Sequence, residues 1–267
     1  MLVYYDFNAM IYALNKINGE MKGMYDYFDL GKYQYVFSPA HFEEIAHSDF
    51  TGRQYALEDY MTFLGIFTKN MGIRPTSIEK PLQFYHEEPI EVYKRVINNN
   101  GGLETTKGAE QYDKTASMYW KKIRSSKKFF DPKKISSVSS DQIFTSNLFF
   151  EKIRSFFDYL YGQSLSYDDC HNCYESLQNA PYTDLERTME ALIKILQYIG
   201  FHSDKDNKLS GFTHDISHTH YASKCDVFVT DDSSLTYRVQ AVYSYMGIPT
   251  KIMKFEDYCH TFLDTKK

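Results

Sequence analysis

Apolar and polar positions follow two different rhythms along this chain, and its ends differ from its middle. Residues 2–6 form a short apolar run closed by Asp6, which predicts a strand. Residues 8–17, containing Ile11, Tyr12 and Leu14, predict an amphipathic helix. A second strand is predicted over 35–37. Ser38 as N-cap and Pro39 at the first helical position then start a helix over 40–47 that carries Glu44. Leu57, Tyr60, Met61 and Leu64 share one face of a helix predicted over 53–69.

The same alternation returns near the C-terminus. Val227, Phe228 and Val229 form a β-branched, apolar run that stops at Thr230-Asp231-Asp232 and is followed at once by Ser233-Ser234. That pattern predicts a buried parallel strand, carboxylates at its C-terminal end, and a helix over 235–246. Upstream, Asp215, His218, Tyr221 and Ala222 stand at helical spacing; downstream, a strand over 249–253 and a short helix over 255–262 are predicted. In open α/β sheets ligands bind at the C-terminal edge of the strands, where this pattern gathers acids.

Between 71 and 200 the alternation gives way to helical patterns over about 89–97, 108–123, 141–161, 167–177 and 184–199. Asn98-Asn99-Asn100-Gly101-Gly102 is the clearest break, and there is no repeat and no strand-rich stretch. The expected organisation is therefore an α/β core from 1–70 and 201–267, interrupted by a mostly helical insertion over 71–200. A polar linker over 200–211 leads back into the core.

Three motifs occur in one order: Val3-Tyr4-Tyr5-Asp6-Phe7-Asn8; Tyr35-Val36-Phe37-Ser38-Pro39 continuing to Glu44-Ile45; and Asp215 with Ala222, Cys225-Asp226 and Thr230-x-Asp232. Together they resemble the signature of PIN-domain nucleases, over roughly residues 1–50 and 210–255. The resemblance implies a PIN-like three-layer α/β/α fold with a central parallel sheet. It also implies that Asp6, Glu44, Asp215 and Asp232 hold Mg²⁺ or Mn²⁺ for endonucleolytic hydrolysis of RNA. The chemical reason is direct: clustered carboxylates bind hard cations through oxygen, and the ion activates water beside an anion that repels it. Asp231 competes with Asp232 for the metal, or caps the next helix. Asn8, Thr230 and His218 are the expected supporting contacts; the plain alternatives are an N-cap for Asn8 and a solvated ring for His218. A toxin- or defence-like role, a homodimer and an inhibitory partner protein belong to the same resemblance.

Composition changes this picture in a few places. A hydrophobic fraction of 43%, with 24 Tyr and 20 Phe, indicates a folded chain, while a net charge of −5 is too acidic for a protein that coats duplex nucleic acid. RNA would have to meet a local patch. The best candidate is Lys121, Lys122, Arg124, Lys127 and Lys128, followed by Lys133 and Lys134 and interleaved with Trp120, Phe129 and Phe130. Its plain alternative is a solvated face. Cys170-x-x-Cys173 is half of a zinc spacing with no second half, and four cysteines without a secretory signal read as reduced thiols of a cytoplasmic protein. No stretch approaches the ~18 apolar residues of a membrane span.

Three rival readings stand beside the ribonuclease. One is a nuclease acting on single-stranded or structured DNA. Another is a PIN-like scaffold that binds RNA or protein without cutting. The third is an HD-type phosphohydrolase built on His202, His214-Asp215 and Asp231, an all-helical fold against which the strand at 227–229 argues.

Overall fold

The computed structural model describes residues 1–17, 28–47, 55–99, 118, 130–203 and 212–263. Its strands are β1 (Leu2–Tyr5), β2 (Gln34–Val36), β3 (Met71–Pro75), β4 (Leu82–His86), β5 (Val227–Val229) and β6 (Lys251–Met253). The helices named below are α1 (Phe7–Lys16), α2 (Pro39–His47), α3 (Leu57–Thr68), α4 (Pro89–Asn99), α5 (Pro132–Ile135), α6 (Phe150–Tyr161), α7 (Tyr174–Leu177), α8 (Tyr182–Ile199), α9 (Phe212–Ala222), α10 (Ser233–Met246) and α11 (Phe255–Tyr258).

Four strands form a parallel sheet in the order β2-β1-β5-β6. β1 lies at its centre, with Val3 opposite both Tyr35 and Val227, and Tyr4 opposite both Val36 and Phe228. Near-continuous apolar sequence is what a parallel strand covered on both faces requires, and the period of two sorts its side chains. Tyr4, Val36 and Phe228 enter one apolar cluster with α6, α8, α9 and α10. Val3, Tyr5, Tyr35, Val227 and Val229 enter the other, with α1, α3, α4 and α11. α2 contributes Ala40 to the first and Phe42 and Ile45 to the second, so it stands at the rim of both. The fold is mixed α/β with helices on both faces of a parallel sheet.

The terminal elements fall within two or three residues of the positions expected from the sequence, apart from the helix at 53–69, which starts only at Leu57, after its N-cap Ala56. The middle segment requires correction. It opens with an antiparallel hairpin, β3 with β4, in which Gly72 faces Tyr85. Phe37 donates its N–H to Met71 O (3.1 Å) and accepts from Ile73 N–H (2.8 Å), which stitches the hairpin to the end of β2. The hairpin gives no strand signal in the sequence because MGIRP contains Gly and Pro and buries only Gly72 and Ile73. The helix expected over 141–161 is a 3₁₀ turn, Ser140–Gln142, followed after a turn by α6. That over 167–177 is a 3₁₀ turn, Asp168–Cys170, and the short α7, separated at Asn172, whose φ of 50° no helix allows. The helix expected over 108–123 and most of the linker over 200–211 lie outside the described residues. From residue 130 onward the segment is part of the main core: Ile153, Phe157, Leu192 and Leu196 share one cluster with Tyr4 and Phe228.

Gly72 is a close-approach position. A Cβ there would lie 2.7 Å from the Tyr85 ring and 2.8 Å from that of Phe37. Gly72→Ala is therefore expected to cost roughly 1–3 kcal/mol through overpacking. The measurement is a thermal melt; an unchanged midpoint would show that the hairpin does not lean on Phe37.

Candidate functional site

From the centre of the sheet, β1–α1–β2 runs to one side and β5–α10–β6 to the other. The C-terminal ends of β1 and β5 thus flank the point where strand order reverses, the crevice in which open α/β sheets bind ligands. Asp6 follows β1 directly and its N–H bonds Val229 O at 3.0 Å, fastening the two strand ends together. The Asp6 side chain is the N-cap of α1, with Oδ1 accepting from Ala9 N–H at 2.7 Å. Fully buried Thr230 donates a second hydrogen bond to it.

Asp6 is only 5% exposed, and burial pushes its pKa up to about 6. The bonds from Thr230 and Ala9 and the nearby His218 ring oppose that rise, while the negative charge of Glu44 adds to it. Among the described residues no lysine or arginine bonds to this carboxylate. It is a desolvated anion with no bonded lysine or arginine among the described residues, answered only in part by His218, which is costly unless something cationic visits.

After β5 the two aspartates divide their work in the reverse of one expectation. Asp232, not Asp231, caps the next helix: its Oδ1 accepts from Leu235 N–H at 2.8 Å, and its own N–H reaches Thr230 Oγ1 at 3.3 Å. Asp231 Oδ1 accepts from Phe255 N–H at 3.2 Å and so ties the end of β5 to the start of α11. Both residues are good N-caps, so local preference could not separate them. Asn8 is exposed in the first turn of α1, and the cap role proposed for it belongs to Asp6. The positive ends of α1 and α10 face the same edge.

Glu44 meets the site through a buried chain of hydrogen bonds. Its Oε1 lies 2.6 Å from His218 Nε2, and the other ring nitrogen, Nδ1, lies 2.6 Å from the Tyr4 hydroxyl. Tyr4 OH is in turn 2.6 Å from Ser38 Oγ. His218 is 1% exposed, which corrects the solvated alternative. A carboxylate accepts, so Nε2 carries a proton. Beside this chain His41 has one possible tautomer when neutral: Nε2–H donates to Tyr5 O at 2.8 Å and Nδ1 accepts from Ser38 N–H at 3.1 Å. Burial, then the neighbouring His218, holds the His41 pKa well below the ordinary value. Burial likewise keeps the Tyr4 phenol protonated.

Asp215 lies in the first turn of α9, half-buried, three residues before His218. Among the described residues no three His, Cys, Asp or Glu side chains gather closely enough to hold a metal ion. The arrangement brings Asp6 into the fields of Glu44 and His218 but does not draw the four expected acids into one cage. In kind, the donors suit Mg²⁺ or Mn²⁺, since all are carboxylate oxygens. Asp6, desolvated and with no bonded lysine or arginine among the described residues, gains most from such an ion.

Lys121, Lys122, Arg124, Lys127 and Lys128 lie outside the described residues. Lys133 and Lys134 are exposed in α5, but Phe130 is buried against Phe156 and is no stacking platform. Burial pushes the Cys170 and Cys173 thiols up to about 12 and about 11, as unreactive side chains. The parallel sheet excludes the all-helical HD-type architecture. No helix among the described residues is long and apolar enough to cross a membrane.

Because Asn caps a helix as well as Asp does, Asp6→Asn removes the buried charge and keeps the cap. The folded chain holds the Asp6 proton up to about pH 6, whereas the unfolded chain releases it near 3.8. The burial penalty therefore grows from about pH 4 to 6 and is complete above 6. Its ceiling, for a carboxylate moved from 3.8 to about 6, is about 3 kcal/mol. Asp6→Asn is expected to stabilise the protein by on the order of 1–2 kcal/mol at pH 7.5, with the gain vanishing toward pH 4. Denaturant melts at several pH values decide it; a loss of stability, or a gain that ignores pH, refutes the account. No family model, curated protein or solved structure matches the chain, so its functional reading rests on the geometry of this edge.

Proposed function

We propose that the C-terminal edge of β1 and β5 is the active site of a PIN-like, metal-dependent nuclease that cleaves RNA internally. The observation that carries the reading is the Asp6 carboxylate, buried at the end of the central strand with no bonded lysine or arginine among the described residues and in the field of Glu44. An uncharged Asn would cap α1 as well, so a carboxylate kept there against its desolvation suits a residue that receives a cation. Asp6, Glu44 and Asp232 would hold Mg²⁺ or Mn²⁺, with Asp215 contributed from α9. When bound, such an ion lowers the pKa of a water and offsets charge on phosphate. The chain's own part is positional. Thr230 orients Asp6 and, through Oγ1, the backbone of Asp232. The first turns of α1 and α10 favour an anion such as a phosphate beside them.

The second reading is a scaffold of the same build that binds RNA or protein without cutting. It draws on two observations: Glu44 is hydrogen-bonded to His218, and no three ligating side chains gather among the described residues.

Labelled single-stranded RNA, tRNA and DNA, each incubated with Mn²⁺, Mg²⁺ or EDTA, separate the two. Wild type is expected to cut RNA internally with either ion and not in EDTA. The Asp6→Asn/Asp232→Asn protein, both caps intact, is expected to lose at least about 100-fold in rate, the scale of a lost metal-linked contact. Preferential cutting of DNA would move the substrate class. Wild type that binds RNA but cuts nothing would leave the scaffold standing.

A further inference from the structure

The chain Ser38–Tyr4–His218–Glu44 runs outward from the interior to the site edge, and its last member alone reaches solvent. Ser38 and Tyr4 are 0% exposed and His218 is 1% exposed, whereas the Glu44 side chain is 21% exposed. None of the first three can touch a substrate. A glutamate side chain left to itself samples several rotamers. Here the imidazole holds Oε1 at 2.6 Å, and this contact engages a single carboxylate oxygen. The ring cannot swing, because Tyr4 holds its other nitrogen and Ser38 holds Tyr4. Carboxylates that bind cations are commonly fixed by such outer partners, whose loss weakens metal affinity by about 10–100-fold.

We propose that Tyr4 and His218 are positioning residues that set Glu44 for a divalent cation, with Ser38 anchoring the buried end. The inference rests on the metal-dependent reading above and extends it to side chains that never touch the ion. Two amide replacements distinguish this role from simple packing. The side-chain nitrogen of Gln stands where the imidazole Nε2 stands and still donates to Glu44. That of Asn ends at the depth of Nδ1, within reach of Tyr4 but not of Glu44.

The test is the affinity of the full chain for Mn²⁺ alone, read from the electron paramagnetic resonance signal of the free ion. Wild type is compared with Tyr4→Phe, His218→Asn and His218→Gln, each first shown to melt cooperatively without metal. Tyr4→Phe and His218→Asn are expected to weaken binding by about 10–100-fold, with His218→Gln, which keeps the donor to Glu44 and loses the Tyr4 contact, falling less far than His218→Asn. Equal affinity in all four proteins, or a His218→Gln that falls as far as His218→Asn, overturns the proposal and leaves the metal-dependent reading intact. Wild type that binds no Mn²⁺ overturns both. Should His218→Asn fail to fold, Tyr4→Phe decides, because it removes one oxygen and keeps the ring.

Discussion

Burying the Asp6 carboxylate between the ends of β1 and β5 costs the fold stability. The anion leaves water for a position where Ala9, Thr230 and the nearby His218 answer its charge only in part. The site is organised around that imbalance. Asp6 cannot move away, because its N–H is part of the bonding between the two strands and its side chain starts α1. Nor is its charge neutralised locally, since Glu44 adds a second negative field. A protein selected for stability alone would have an uncharged cap here; a charged one, held against its own solvation, is what functional sites commonly retain.

The same constraint explains why the polar chain behind Glu44 is so completely bonded. Tyr4 lies in the central strand with its ring packed against Phe228 and its hydroxyl inside the core. A buried hydroxyl or imidazole left without a partner is expensive, so a satisfied network lowers the cost of keeping such groups in a core. Ser38, His41, Tyr4 and His218 satisfy one another, and the network ends at a carboxylate that reaches solvent. This polar seam runs through the core and leads to the site edge.

How much of this was legible follows from which signals are local. The strands ending at Asp6 and Thr230, the helix after Ser38-Pro39 and the helix after Asp232 are written in short-range patterns: apolar runs, caps and period. The acids at the strand ends were visible for the same reason. The seam was not, because Tyr4 reads as one more apolar residue in a strand, and His218 gains its meaning only when α9 lies beside α2. The hairpin was missed because Gly72 is there for a tertiary contact with Phe37 and Tyr85 and not for a turn. Asp231 and Asp232 were interchangeable locally; the partner that separates them, Phe255 N–H, lies 24 positions away.

The abundance of tyrosine has a specific use in placing α9. The carbonyls at the C-terminal end of a helix lack partners within it and must find them elsewhere. At the end of α9 and in the turn after it, carbonyls are met from three sides: Tyr243 of α10 donates to Thr219 O at 2.6 Å, Tyr174 of α7 to Ser223 O at 2.5 Å, and Thr250 Oγ1 to Cys225 O at 2.7 Å. Tyrosine suits this task because its ring fills apolar space while its hydroxyl donates at the far end. One of these donors comes from the segment between the two ends of the chain, so that segment helps set the axial position of α9. His218 lies on that helix one residue before Thr219. The geometry at Glu44 therefore depends on a layer of helices whose sequence carries no sign of chemistry.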